Sequence, residues 1–136
     1  MEKENLFRGY LRLSKFSYFK ESNTWNFNFE EKISLQSECL WRFLHGGKIR
    51  YTSNDHGQKY GHEKPYDLET EIQKLLHNTA LHRIDRNLLT GDLYLEFEQE
   101  YKFELLTDSS GFESWSLEIG KRQIIGLGQG DVAKFE

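Results

Sequence analysis

The sequence has little proline, little cysteine and no long apolar run. Its 136 residues include one proline and one cysteine, Cys39. With so little proline and no low-complexity segment, long disordered linkers are excluded, and a lone cysteine excludes an intramolecular disulfide. No stretch approaches the roughly 18 apolar residues of a membrane span, and the opening MEKENLFRGY lacks the apolar core of a secretion signal. We therefore expect a soluble, cytoplasmic single domain over residues 1–136 without membrane association.

Positive charge is also scarce, and it is spread unevenly. The net charge is -4, which argues against nucleic acid as a partner. Residues 1–66 carry 11 basic and 8 acidic side chains, whereas residues 67–136 carry 7 basic and 14 acidic ones, a net charge of -7. The acidic half is either a solvated face or a docking face for a basic partner.

Most of the chain alternates between apolar and polar residues, which predicts strands with one buried face. The clearest segments are Trp25–Phe29, Leu93–Phe97 and Tyr101–Leu105. The three residues at 98–100 would keep Phe97 and Tyr101 on the same face, so we expect a three-residue hairpin connection there.

One segment has helical spacing. Asp67 is a suitable N-cap, and the apolar residues Leu68, Ile72, Leu75 and Leu76 follow at i, i+4, i+7 and i+8. The sequence therefore predicts a single helix at about residues 67–78.

The segments on either side of this helix are similar at an offset of 68 positions. Both reach a tryptophan, Trp41 or Trp115, and continue through a glycine turn into another strand. We therefore expect an α+β fold of about eight antiparallel strands in two similar four-stranded meanders, at about 6–53 and 80–128, with the helix between them. Residues 109–113 have no counterpart in the first half, so a specialised surface is expected there, with Trp115 holding it in place.

Two motifs could carry chemistry. The segment IIGLGQGD (Ile124–Asp131) resembles a phosphate-binding loop, but such a loop needs a helix immediately after it. The simpler interpretation is a strand end where glycine admits close backbone approach. The loop at 53–67 contains four possible metal ligands or acid–base groups, Asp55, His56, His62 and Glu63. No second ligand cluster is evident, so we expect no metal and no cofactor.

Nucleophilic catalysis has little support. Ser109 and Ser110 lie in a Ser-Ser-Gly turn without the elbow motif of hydrolases. Cys39 alternates with Trp41 and Phe43, which indicates a half-buried thiol. A hydrolase using Asp55, His56 and Glu113 would rest on residue types alone, so it ranks last and the sequence favours a non-enzymatic protein.

An ordered series of segments resembles a family of small bacterial proteins that are proposed immunity proteins of polymorphic toxin systems. The series comprises CLWRF (Cys39–Phe43), the Asp55-His56 loop, the helix after Pro65, LTGDLYLEF (Leu89–Phe97), SSGFESW (Ser109–Trp115) and IIGLGQG (Ile124–Gly130). Members of that family tend to have proline where Leu40 stands. The resemblance implies a non-enzymatic protein that neutralises a cognate toxin by binding it, and it carries no catalytic residues.

Two functions remain open from the sequence. The first is the immunity-like, protein-binding function. The second is a small-ligand or metal-binding domain, in which the Asp55-His56 loop would approach Glu113, Trp115 and the glycine-rich end. The candidate binding residues for either are Trp41, Asp55, His56, Ser110, Glu113 and Trp115.

Overall fold

One long strand organises the fold in the computed structural model, which describes residues 2–136. This strand, β1, is 17 residues long, about three times the usual strand length. Ten shorter strands and one α-helix follow it. The elements in chain order are β1 (Lys3–Phe19), β2 (Thr24–Phe29), β3 (Ile33–Ser37), β4 (Leu40–His45), β5 (Lys48–Thr52), α1 (Leu68–Leu75), β6 (Ala80–Asn87), β7 (Leu93–Phe97), β8 (Tyr101–Leu106), β9 (Trp115–Ile119), β10 (Arg122–Gly126) and β11 (Val132–Phe135). Single turns of 3-10 helix occupy Ser53–Asp55, Glu98–Glu100 and Gly128–Gly130.

The strands form a single antiparallel sheet in the order β11-β10-β9-β3-β2-β1-β6-β7-β8-β4-β5. The first part of β1 pairs with β6 as far as Arg12, which lies opposite Ala80. The second part, from Leu13 to Phe19, pairs with β2. The strand β1 therefore joins two wings of the sheet. The first wing consists of β2, β3, β9, β10 and β11, and the second consists of β6, β7, β8, β4 and β5.

The two wings enclose an aromatic core. Rings meet from strands that are not neighbours in the sheet: the centroid of Trp25 on β2 lies 5.1 Å from that of Trp41 on β4, and Phe27 on β2 lies 4.9 Å from Phe103 on β8. All four side chains are almost completely buried. The sheet thus folds over on itself, and ring packing across the fold adds to the free energy gained by burial.

The predicted fold class, about eight strands in two four-stranded meanders, is wrong. Over residues 2–136 the structure has 11 strands in one sheet, and the tryptophan-bearing strand of each predicted meander pairs with a strand of the other half. Trp41 on β4 lies opposite Leu105 on β8, and Trp115 on β9 lies opposite Ser37 on β3. Alternation of apolar and polar residues shows that a segment is a strand and which of its faces is buried. It does not show which strand lies beside it, because the alternation is the same whichever strand is the neighbour.

The predicted helix is observed at Leu68–Leu75, within the expected range of about 67–78. Asp67 is its N-cap, and the Asp67 carboxylate accepts hydrogen bonds from the backbone N–H and the hydroxyl of Thr70, at 3.2 and 2.8 Å. Leu68 and Ile72 are fully buried. The apolar stripe of the helix therefore completes the core.

The helix also covers a free strand edge. Beyond Arg12, the edge of β1 that faces β6 has no strand partner among residues 2–136. Two helix side chains accept hydrogen bonds from this edge: Gln73 Oε1 from the Phe16 N–H at 3.4 Å, and Glu69 Oε2 from the Tyr18 N–H at 3.1 Å. These bonds satisfy strand donors that would otherwise be left open to other chains.

The predicted three-residue connection between β7 and β8 is observed at Glu98–Glu100. The Glu98 carboxylate accepts a hydrogen bond from the Ala80 N–H at 2.9 Å. The same contact occurs 68 positions earlier, where the Glu30 carboxylate accepts from the Arg12 N–H at 2.6 Å. In both places a glutamate at a tight turn fixes the turn against β1 or the start of β6.

Candidate functional site

Asp55 is a structural residue of the loop at 53–67. Its carboxylate accepts one hydrogen bond from the Thr52 N–H at 2.8 Å and one from the Tyr60 hydroxyl at 2.8 Å. The bond to Asp55 raises the pKa of Tyr60, because it stabilises the protonated phenol. Both carboxylate oxygens of Asp55 therefore hold the loop closed.

His56 is also used by the fold. Its Nδ1 accepts a hydrogen bond at 3.1 Å from the N–H of Leu68, the first residue of α1. The imidazole ring packs edge-on against Tyr18 and Trp25, with both centroids 5.1 Å away. An imidazole that caps a helix N-terminus satisfies a donor that has no partner within the helix. That nitrogen is therefore occupied and cannot act as a general base or bind a metal in this arrangement.

A metal centre has no further support in the described part of the chain. Residues 2–136 contain no group of three or more His, Cys, Asp or Glu side chains placed to hold an ion. Burial raises the pKa of Cys39 to about 12, so the thiol stays protonated. Asp55 and His56, the two candidate residues of this loop, both have hydrogen-bond partners within the fold.

Trp41 lies at the centre of the core and presents no surface for a ligand. Its side chain is fully buried and packs edge-on against Phe103 at 5.3 Å. Its indole nitrogen has no hydrogen-bond partner within the described residues 2–136. Trp41 connects to the loop at 53–67 through the ring of Trp25 and through its backbone N–H, which donates a hydrogen bond to the Ser53 hydroxyl at 3.1 Å. Trp41, Asp55 and His56 therefore all take part in the scaffold.

The other three candidates, Ser110, Glu113 and Trp115, belong to a different region at the end of β9. Trp115 is 2% exposed, and its indole N–H donates a hydrogen bond at 2.9 Å to the carbonyl oxygen of Gly91 in the turn between β6 and β7. The ring lies against Gly126 so closely that a Cβ there would be 2.5 Å from it. Trp115 therefore holds together the turn that contains Gly91 and the strand β10, which contains Gly126.

The glycine-rich segment after β10 packs closely against the backbones of two loops. A Cβ on Gly128 would lie 2.1 Å from the carbonyl oxygen of Ser110, and one on Gly130 would lie 2.4 Å from the carbonyl oxygen of Leu89. Only glycine allows backbone to approach so closely. A strand, β11, follows this segment, so it lacks the helix N-terminus that a phosphate-binding loop requires.

Both of these loops are also stabilised by hydrogen bonds within the loop. The Ser109 hydroxyl accepts hydrogen bonds from the N–H groups of Gly111 and Phe112 at 3.1 and 3.0 Å. The Asn87 side-chain oxygen accepts from the N–H groups of Leu89 and Thr90 at 2.9 and 3.1 Å. Such turns hold short loops in one backbone conformation.

These two loops and the glycine-rich segment against which they pack form one surface. We call it the loop platform, and it consists of residues 88–92, 108–114 and 126–131. Leu89 and Phe112 extend from it into solvent, each 78% exposed, the highest value among the large apolar side chains of residues 2–136. Ser110 and Glu113 are exposed beside them. Apolar patches exposed on a protein surface mark interaction sites, and Leu89 and Phe112 are the exposed apolar side chains of this platform.

The loop platform is uniformly acidic. It contains the acidic residues Asp92, Asp108, Glu113 and Asp131 and no lysine, arginine or histidine, a formal charge of -4. Asp92 and Asp108 also brace the backbone, accepting from the N–H groups of Thr107 at 2.8 Å and Leu40 at 3.2 Å. The platform therefore combines exposed apolar side chains with one sign of charge.

The sequence interpretation identified part of this surface. Ser110, Glu113 and the supporting role of Trp115 were expected, and Phe112 lies in the segment 109–113 where a specialised surface was expected, whereas Leu89 was not predicted. The available signal was an apolar residue within turn-forming neighbours, as in Leu-Thr-Gly-Asp and Ser-Ser-Gly-Phe-Glu. In such a context an apolar side chain has no strand or helix face through which to reach the core.

Comparisons with known proteins give no match: no family model fits the chain, and no curated protein or solved structure is significantly similar to it. Among residues 2–136, no helix combines the length and the apolar character needed to cross a bilayer. The resemblance to proposed immunity proteins therefore depends only on the ordered segments quoted above.

Proposed function

We propose that the chain is a non-enzymatic, immunity-like protein that neutralises a bacterial toxin by docking its loop platform on the toxin. The observation that carries this proposal is the position of Leu89 and Phe112. These highly exposed apolar side chains lie on adjacent loops that are fixed by Gly128, Gly130 and Trp115. A fixed backbone reduces the conformational entropy lost on binding, and buried apolar anchors dominate the energetics of protein interfaces.

The charge of the platform indicates the kind of partner. With four acidic and no basic side chains, it favours a basic surface that contains an apolar pocket. Complementary charge accelerates association and rejects acidic partners. A toxin that cleaves nucleic acid fits this description, because its substrate site must attract phosphate.

The small-ligand alternative has weaker support. Asp55 and His56 are engaged in the fold, and Trp115 is 2% exposed, so it offers no ring face for stacking. The cleft beside Glu113 and Trp115 has a volume of about 160 Å³, below the roughly 300 Å³ typical of small-molecule sites.

The test begins with toxin domains encoded next to this gene. Each is co-expressed with the protein, and cell growth and the affinity of the purified pair are measured. We expect rescue of growth by the wild-type protein, and Phe112→Ala or Leu89→Ala should weaken binding at least about tenfold, or about 1.4 kcal/mol. Glu113→Lys should lower the association rate and leave dissociation almost unchanged.

Phe19→Ala is the matched control, because Phe19 is a 48% exposed aromatic residue at the end of β1, outside the platform. It should bind and protect as the wild type does. Full protection by the Phe112→Ala, Leu89→Ala double variant would exclude the platform as the binding surface. Failure of the wild-type protein to bind any neighbouring toxin would exclude the immunity function.

A further inference from the structure

A second exposed surface lies at the other end of the sheet. The strand β7 begins next to Asp92 of the loop platform and ends next to Glu98, a separation of about 17 Å for five extended residues. At the Glu98 end a groove of about 680 Å³ crosses several strands, and a cleft of about 560 Å³ lies beside it. Tyr10 lines both concavities and is itself 73% exposed.

A bulge in β1 explains why Tyr10 is exposed. Arg8 pairs with Arg83 and Leu11 pairs with Leu81, so β1 has one residue more than β6 between the two pairs. An extra residue of this kind bends the strand and redirects a side chain. Tyr10 lies within the bulge and stands between the groove and the cleft.

The groove is acidic and partly aromatic. Its walls include the four glutamates Glu96, Glu98, Glu100 and Glu104, with Lys102 as the only lysine or arginine. Two of the glutamates are already in ion pairs. Glu96 lies 3.3 Å from Arg83, which it shares with Asp85, and Glu104 pairs with Arg42 and Lys102. Glu98 and Glu100 are in no such ion pair within residues 2–136, so they give the groove its excess negative charge. Glu98 Oε1 accepts the Ala80 N–H, so its Oε2 is the oxygen left for a partner.

The cleft on the other side of Tyr10 is mainly apolar. The apolar side chains that line it are Phe7, Leu11, Ile33 and Ile119. Gly9 makes room for one of these walls, since a Cβ there would lie 2.8 Å from the ring of Phe7. An apolar side chain of a partner would lose its contact with water in this cleft.

We propose that Tyr10 divides a recognition site for an extended polypeptide segment, which places an arginine in the groove and an apolar side chain in the cleft. Arginine fits better than lysine because its planar guanidinium stacks on a tyrosine ring and donates in a fork to carboxylates such as Glu98 and Glu100. This site goes beyond the proposed function, since it lies at the opposite end of β7 from the loop platform and needs no toxin to be tested.

The experiment is a titration of the ¹⁵N-labelled full chain with blocked peptides, followed by NMR. The probes are Gly-Arg-Gly-Leu-Gly and a version with the arginine and leucine four positions apart. Matched peptides replace arginine by citrulline or lysine, or leucine by alanine. The amides of Gly47 and Gln99 report on the groove, and those of Gly9 and Gly120 report on the cleft.

We expect saturable shifts at both sets of amides with at least one of the two probes. Citrulline should weaken binding about tenfold and lysine less, and the alanine peptide should lose the shifts at Gly9 and Gly120. Tyr10→Ala and Glu98→Gln with Glu100→Gln should each weaken binding about tenfold. Phe112→Ala, which changes a similarly exposed aromatic residue at the platform, should bind the peptides as the wild type does.

Two results would overturn this proposal: no shifts at millimolar concentrations of either probe, or equal binding of the arginine and citrulline peptides. Neither result bears on toxin binding by the loop platform. Conversely, a protein that binds no toxin would still be expected to bind these peptides.

Discussion

The indole N–H of Trp115 donates a hydrogen bond to the carbonyl oxygen of Gly91, 2.9 Å away and 24 positions earlier in the chain. The bond is buried, and it joins the first residue of β9 to the turn between β6 and β7. The indole nitrogen of Trp41, by contrast, has no hydrogen-bond partner in the part of the chain that the structure describes. Two equally buried tryptophans therefore contribute differently, one by packing alone and the other by packing and a hydrogen bond.

Replacing each tryptophan by phenylalanine should separate these contributions. Both changes remove similar ring volume from the core and lower the free energy of unfolding. Trp115→Phe also leaves the Gly91 carbonyl without its donor, so it should be more destabilising than Trp41→Phe by about 1 kcal/mol. Urea denaturation of both variants measures the difference.

The same pair of variants tests the role of Trp115 beneath the loop platform. Amide exchange at Leu89 and Thr90 should be faster in Trp115→Phe than in Trp41→Phe, because only the first change releases that turn. Equal free energies of unfolding together with equal exchange rates would show that the bond to Gly91 contributes nothing.

Gly128→Ala should disrupt the loop platform. The new Cβ would lie 2.1 Å from the carbonyl oxygen of Ser110, so the loop at 108–114 must move. We expect a loss of about 1–3 kcal/mol in the free energy of unfolding, as for other overpacked positions. The control is Gly111→Ala, because nothing lies within 4 Å of a Cβ there. Thermal unfolding of the two variants tests the prediction, which fails if Gly128→Ala unfolds at the wild-type temperature.

The positions of the helix and of most strands could be predicted from the sequence far better than the pairing of the strands. Local signals suffice for α1, where Asp67 caps the first turn and an apolar stripe follows, and for the hairpin of β7 and β8. No local signal distinguishes β8 from β3 as the neighbour of Trp41. The strand β1 was not recognised as 17 residues long, because its two parts pair with different strands and their alternation is interrupted by bulges.

The candidate site shows the same division. His56 resembles a metal ligand or a base in the sequence, but its acceptor role depends on Leu68, 12 positions away, and no local pattern reveals that contact. Ser110 and Glu113 could be identified because they lie in a segment without an internal counterpart. Leu89 is part of the same surface because its turn, which is distant in the sequence, packs against Gly130 in the glycine-rich segment.

His56→Ala should destabilise the protein by about 1–2 kcal/mol. The change removes the acceptor for the Leu68 N–H and the ring contacts with Tyr18 and Trp25. His62→Ala is the control, because His62 is exposed in the same loop. Chemical denaturation compares the two, with an expected change within about 0.5 kcal/mol for His62→Ala. A larger loss for His62→Ala than for His56→Ala would contradict the helix-capping role.

Glu4 should make the stability of the fold depend on pH. Its carboxylate lies 2.7 Å from the Lys134 amine on β11 and 3.0 Å from the Arg86 guanidinium on β6. The hydrogen bond from Lys134, opposed by partial burial and assisted by Arg86, lowers the pKa of Glu4 below its ordinary value of 4.5. Because the folded state holds the Glu4 proton less tightly than the unfolded chain, the stabilisation is complete above pH 4.5 and is lost as the pH falls through the lowered pKa.

The measurement is the free energy of unfolding of the wild type and Glu4→Gln between pH 7 and pH 3. The wild type should be more stable by at most about 1 kcal/mol at pH 7, since partly exposed ion pairs are screened by solvent, and the difference should shrink below pH 4.5. Lys134→Met should give a similar pH-dependent loss, and the double variant should lose less than the sum of the two, because they share one interaction. A difference that stays constant across this pH range would show that Glu4 stabilises the fold only through packing.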